Sequence, residues 1–287
     1  MLTALDRIII ATGDLPRAQR EMIHVLGRSP SWVGGYPGDQ TESVLWKLDN
    51  LCIELLAPVG DTAVCHQLRE RIASGGGGVY AVVLACEDIA GTTQEIRANG
   101  LHPTEPTEGL TKDEPSGAYR RFLQSELDPS ETAGIRILIA EHLSEPGELS
   151  PSLSVEGDDA AVFAGDHVVI MTAAPERALA LFSDMLGIRL ALDKTFEGRK
   201  TRLIFFRLGG FTIEIGAPLK DPSDEPPAND RLWGIAYKVN NIEATADRIT
   251  RAGLETTKIR DGNKSGTRVF TVKNEPAGVP TLVIKHD

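Results

Sequence analysis

The chain has 287 residues, of which 41% are hydrophobic and 25% charged, and carries a formal net charge of -11. That balance describes a globular protein with room for about two domains, and it argues against nucleic acid and anionic membranes, which are bound through clustered Lys and Arg. No apolar run approaches the ~20 residues of a membrane span, Met1 to Arg7 shows no signal-peptide pattern, and Cys52, Cys65 and Cys86 lack CxxC spacing, which fits a cytoplasmic protein with neither a disulfide framework nor a cysteine zinc site.

From the N-terminus, Ile8 to Ala11 is a short β-branched run that predicts a strand. Pro16 to Leu26 has apolar residues at helical spacing, with Pro in the first turn and Gly27 just past the end. The pattern then recurs. A shift of 160 aligns 5–58 with 165–218 without a gap, and 14 of the 54 positions are identical, among them Asp6/Asp166, Leu26/Leu186, Gly27/Gly187 and Glu54/Glu214. Val168 to Met171 repeats the first strand and Pro175 to Leu186 the helix. Three strands follow at about 189–194, 201–208 and 211–216, with Gly209 and Gly210 as a hairpin turn.

A second unit follows each of these. Segment 80–101, predicted as strand then helix, matches 233–254, and Ala133-Gly134-Ile135 matches Ala277-Gly278-Val279. The chain therefore reads as four βαβββ units in the order A, B, A′, B′. The predicted class is α+β, with two pseudo-symmetric domains of curled mixed sheet at 1–142 and 165–287. A linker rich in Pro, Gly and acids runs over 143–164, and the proline-rich stretch 220–231 reads as a surface loop. Gly75 to Gly78 does not make a phosphate loop, because it runs into a strand instead of a helix N-terminus.

Four tandem βαβββ units, with Asp166-His167-Val168-Val169-Ile170 on a first strand and Ile213-Glu214-Ile215 on a last strand, resemble the vicinal oxygen chelate superfamily. That group includes glyoxalase I, bleomycin-resistance proteins, methylmalonyl-CoA epimerase and extradiol dioxygenases. The resemblance implies that units pair around a cavity and that His or Glu from first and last strands hold one divalent metal, such as Zn, Fe, Mn, Ni or Co. The slots here hold His167 and Glu214 in A′, Arg7 and Glu54 in A, Ala81 and Leu138 in B, and Gly234 and Leu282 in B′. His167 and Glu214 are therefore the catalytic candidates, as metal ligands or as an acid/base pair. Arg7 and Glu54 are expected to form an ion pair where a metal would stand, leaving the N-terminal half structural or substrate-shaping. Gly234 and Leu282 break the 2-His-1-carboxylate pattern of an extradiol dioxygenase.

Strand alternation adds Val169, Met171, Thr212, Gly234, Ala236 and Lys238 to the cavity face. Met171, Thr212, Gly234, Ala236 and Lys238 are the candidate substrate contacts, with small residues at 234 and 236 widening the pocket and Lys238 offered to an anionic group. Phe205, Phe206, Trp46 and Trp233 are expected in the core, with one or two of them lining the pocket. Arg202 and Arg268 are solvated by default, and His24, His66, His102, His142 and His286 show no paired spacing. The implied function is a glyoxalase-type lyase or isomerase acting on a small oxygenated metabolite. The alternatives are a binding protein of the bleomycin-resistance kind and a dioxygenase fold kept for regulation or assembly. The expected partner is a small molecule and, among macromolecules, at most a second copy of the chain as a homodimer.

Overall fold

A computed structural model describes residues 1–219 and 228–287; most of the loop expected at 220–231 lies outside them. The first unit is β1 (Leu2–Ala11), α1 (Leu15–Leu26), β2 (Trp32–Tyr36), β3 (Thr41–Lys47) and β4 (Cys52–Pro58). After helix α2 (Ala63–Gly75) the second unit is β5 (Gly78–Cys86), α3 (Ile89–Ala98), β6 (Thr107–Asp113), β7 (Tyr119–Glu126) and β8 (Ile137–His142). The third is β9 (Val162–Met171), α4 (Pro175–Leu179), β10 (Arg189–Phe196), β11 (Thr201–Leu208) and β12 (Phe211–Pro218). The fourth is β13 (Arg231–Val239), α5 (Ile242–Arg251), β14 (Arg260–Asp261), β15 (Thr267–Val272) and β16 (Thr281–His286).

Each half pairs its own two units through their first strands. β1 runs antiparallel to β5 and parallel to β4, and β9 stands in the same relation to β13 and β12. The halves differ in closure. In the first, β2 pairs with β6 and seals an eight-stranded barrel in the order β1-β4-β3-β2-β6-β7-β8-β5; in the second, eight strands form an open sheet from β10 to β14. The seam explains the difference. A Cβ at Gly34 would stand 1.8 Å from the carbonyl oxygen of Lys112, and one at Gly35 would stand 2.0 Å from that of Thr41. Only glycine lets the strands approach so closely. The repeat puts Lys194 and Thr195 at these positions in the second half, and β10 stays an exposed edge.

Two expectations change. The helix predicted at 175–186 is one α-turn followed by a π-helical segment, Ala180–Met185. Ala174 stands where Asp14 caps α1, so the first turn lacks a side-chain acceptor. The wider turn seats Phe182 5.5 Å from Phe206. The segment 143–164 is anchored to the N-terminal half: Ser152 Oγ donates to the Lys47 carbonyl at 3.0 Å, Arg28 donates to the Ser152 carbonyl at 2.8 Å, and β9 already begins at Val162. One apolar cluster includes residues of both halves, from Ile8 and Ile10 to Val168 and Ile170.

Candidate functional site

β9 carries a bulge at Asp166. The pairing with β13 jumps from His167↔Ala236 to Gly165↔Tyr237, so Asp166 has no partner and its side chain meets that of its neighbour. Asp166 Oδ1 lies 2.7 Å from His167 Nδ1, and Oδ2 lies 2.7 Å from His286 Nε2 and 3.7 Å from Lys238 Nζ. Burial pushes the Asp166 carboxyl up, but the hydrogen bonds from both histidines and the nearby His167 and Lys238 charges outweigh it and hold the group well below the usual carboxylate range. A carboxylate can only accept, so the proton on His167 belongs at Nδ1. That directs Nε2 to Glu214, whose Oε2 is 3.5 Å away. Burial raises the Glu214 carboxyl, with the His167 charge opposing and the Asp166 charge adding to the rise.

The first half repeats this arrangement with one exchange. β1 has the same bulge, between Leu5↔Leu84 and Arg7↔Val83. Asp6 accepts from Arg7 Nη1 and lies beside His142 Nε2, each at 2.7 Å. Arg7 Nε comes within 3.0 Å of Glu54 Oε2, and Tyr36 donates to Glu54 Oε1 at 2.6 Å. The expected Arg7–Glu54 ion pair is therefore present. Arg7 and Tyr36, with Phe122 and Tyr80, line a cavity of about 440 Å³ inside the closed barrel.

His142 and His286 show no paired spacing in the sequence, yet each binds the aspartate of its own half. The signal was in the repeat. The spacing of 144 that relates Ala133 to Ala277 also relates His142 to His286, while Asp6 and Asp166 stand at 160. Only the parallel pairings of β5 with β8 and β13 with β16 bring the chain ends back to the bulged strands.

The other candidates are placed as follows. Thr212 is the direct neighbour of His167 across the β9–β12 pairing, and Ala236 is its neighbour across β9–β13. Lys238 is in the Asp166 cluster. Met171 pairs with Gly216. Gly234 does not serve to widen a pocket, since a Cβ there would lie 2.7 Å from the backbone oxygen of Pro280 and close approach of the chains requires glycine. Trp233, expected in the core, is 43% exposed, whereas Trp46 and Phe206 are fully buried. Arg202 pairs with Asp193 at 2.6 Å, and Arg268 pairs with Glu243. As potential metal donors, His167 Nε2 and Glu214 Oε2 stand together, but no group of three His, Cys, Asp or Glu side chains suited to a metal occurs among the described residues. Asp166 and His286 hold one another, and Ala236 and Leu282 offer no donor. Two donors do not match the three or four of a firmly held divalent ion.

The sequence profile of the glyoxalase/bleomycin resistance protein/dioxygenase superfamily matches residues 6–115 and 166–271, and the chain belongs to that superfamily. Among solved structures, the chain resembles a mutant of 4-hydroxymandelate synthase from Streptomyces coelicolor, with a TM-score of 0.70 and 13% identity over 100% of this chain and 93% of that one. It also resembles the Mn(II)-bound glyoxalase from Novosphingobium aromaticivorans, with a TM-score of 0.64 and 14% identity over 99% and 82%, and a hypothetical protein from Staphylococcus aureus, with a TM-score of 0.65 and 11% identity over 99% and 100%. At such identities the likeness concerns the fold alone. No curated protein matches by sequence. Among the described residues no helix is long and apolar enough to cross a membrane.

Proposed function

We propose that the open C-terminal half carries the active site, and that His167 and Glu214 move a proton in a lyase or isomerase reaction on a small oxygenated metabolite. The observation that carries this reading is the chain of contacts from Asp166 through His167 to Glu214. Asp166 orients the imidazole, so that Nε2 is the basic atom. Glu214, raised by burial, can hold a proton nearer neutral pH than an ordinary carboxyl. With a carbonyl compound bound over the pair, His167 Nε2 takes the proton from the adjacent carbon while Glu214 gives one to the developing enolate oxygen. Reversal at a second carbon returns both protons, which is an isomerisation with no net proton change. Thr212, Ala236 and Met171 form the wall on which such a substrate rests, and Lys238 adds its charge to the His167 and His286 contacts that keep Asp166 ionised.

The test is proton exchange in D₂O, followed by NMR, across a panel of small 2-hydroxy and 2-oxo carbonyl compounds. His167→Ala and Glu214→Gln should each lower exchange by about 10² or more while the circular dichroism spectrum stays unchanged. Metal content should be the same in the wild type and both variants, because neither side chain is required as a ligand. If both variants exchange as the wild type does, the catalytic reading fails.

One observation favours a second reading, that of a binding protein. The closed N-terminal barrel encloses about 440 Å³ beside Tyr36, Phe122 and Arg7, a volume within the range of small-molecule pockets. Ligand retention that survives His167→Ala but not Phe122→Ala would support it.

A further inference from the structure

A cavity of about 620 Å³ lies between the two halves, away from both bulged strands. Its walls are related by the internal repeat. Tyr80 and Trp233 occupy equivalent positions at the starts of β5 and β13, and Gly134 and Gly278 are equivalent in the turns before β8 and β16. The cavity is therefore lined by equivalent positions of both copies of the repeat.

The repeat breaks down where charge is concerned. Arg231 replaces Gly78, and Arg71 enters from α2. The Arg71 guanidinium lies over the glycine run: a Cβ at Gly75 would be 2.3 Å from its Nη1, and one at Gly78 would be 3.6 Å from its Nη2. Gly76, Gly77 and Gly78 all have positive φ, so the chain bends from α2 into β5 without a side chain in the way. Neither Arg71 nor Arg231 has a carboxylate partner among the described residues. Burial and the like charge of Arg231 both press the Arg71 pKa below the arginine range. The other charges of the cavity are spoken for: Arg136 binds Glu126 at 2.8 Å and covers the Tyr80 ring at 4.9 Å, and Asp230 binds Arg177 at 2.7 Å. Glu275 is the remaining lining acid. Among the described lining residues, two guanidinium groups without a carboxylate partner are thus set against one carboxylate, in a chain of net charge -11. Beside them Trp233 offers an indole that is 43% exposed.

We propose that this junction cavity is a binding site for a small aromatic anion, with the carboxylate or phosphate held between Arg71 and Arg231 and the ring against Trp233. Guanidinium groups suit planar oxyanions through paired N–H donors, and an exposed indole beside them supplies the apolar surface. A free ion has no use for Trp233, and a neutral ring has none for the arginines, so the combination selects for both features in one molecule.

Calorimetric titration of the full-length protein with benzoate, phenyl phosphate, inorganic phosphate and benzyl alcohol tests the site. At least one of the two aromatic anions should bind one to one, more tightly than inorganic phosphate or benzyl alcohol, and the stronger of the two identifies the headgroup. Arg71→Gln and Arg231→Gln should each weaken that binding by about tenfold or more. Trp233→Ala should weaken the aromatic anion but not inorganic phosphate, and Glu275→Gln should tighten both. His167→Ala should leave the titration unchanged, which keeps this result separate from that of the C-terminal site. The proposal is overturned if neither aromatic anion binds, if inorganic phosphate binds as tightly as they do, or if the arginine variants bind like the wild type.

Discussion

A single carboxylate organises each site. Asp6 and Asp166 sit on bulges, and each gathers a histidine from the end of a distant strand together with its own neighbour in sequence. The cost of burying such a group is met by several charge-assisted hydrogen bonds. For Asp6 burial raises the pKa, but bonds from His142 and Arg7 and their charges prevail and bring it to about 2. A carboxyl whose pKa falls on folding stabilises the native state above its unfolded pKa and loses that contribution as pH falls towards the folded value. Asp6 should therefore contribute about 2 kcal/mol at neutral pH, lost between roughly pH 4 and pH 2. Asp6→Asn should lower the urea midpoint at pH 7 and narrow the gap between the pH 7 and pH 2.5 midpoints. An unchanged acid dependence would mean that Asp6 is not held as the contacts indicate.

Closure of one sheet and opening of the other is decided on β2 and its counterpart β10. Gly34 admits the backbone of β6 and Gly35 that of β3, whereas Lys194 and Thr195 carry side chains at these positions, and the counterpart of β6, β14, has shrunk to two residues. Gly34→Val should push Lys112 away, part the seam, and destabilise the protein by about 1–3 kcal/mol, as overpacking does. Amide exchange in β6 should rise with it. Lys194→Val on the open strand should change stability by under about 0.5 kcal/mol. Equal effects at the two positions would refute the seam argument. The two halves also hold different side-chain pairs at these positions. The closed half shelters an Arg7–Glu54 pair, and the open half leaves His167 and Glu214 14% and 17% exposed.

At the scale of the molecule, the halves are locked by polar contacts set in apolar surroundings. Arg248 on α5 is buried and donates to the carbonyls of Val25 and Ala160 at 2.8 and 3.0 Å, and to that of His24. It thereby satisfies the end of α1 in the other half, where Gly27 has no side chain to collide with it. Burial lowers the Arg248 pKa to about 10. Asn50 adds a two-way bond to the Gly165 backbone, each arm 2.9 Å. Arg248→Met keeps the volume but strands three carbonyls, and should cost about 2–3 kcal/mol. Calorimetry should then resolve two transitions in place of one. A single transition at the wild-type temperature would show that the apolar junction suffices.

Much of this was legible in the sequence, for a physical reason. Strand and helix periods, helix-ending glycines and an ungapped repeat are local signals, and together they determined four βαβββ units and their duplication, while the facing of His167 with Glu214 and Arg7 with Glu54 followed from the resemblance to the superfamily. Local signals carry no information about which distant groups converge. The bulges at Asp6 and Asp166 break the two-residue alternation, so these aspartates fall outside any face read from spacing. His142 and His286 reach them only after β8 and β16 have paired with β5 and β13. Trp233 reads as core by its residue type, but it lies where the two halves meet without filling the space between them. Tertiary structure alone decided these matters, because strand pairing, seam closure and the packing of one half on the other bring together residues more than a hundred positions apart.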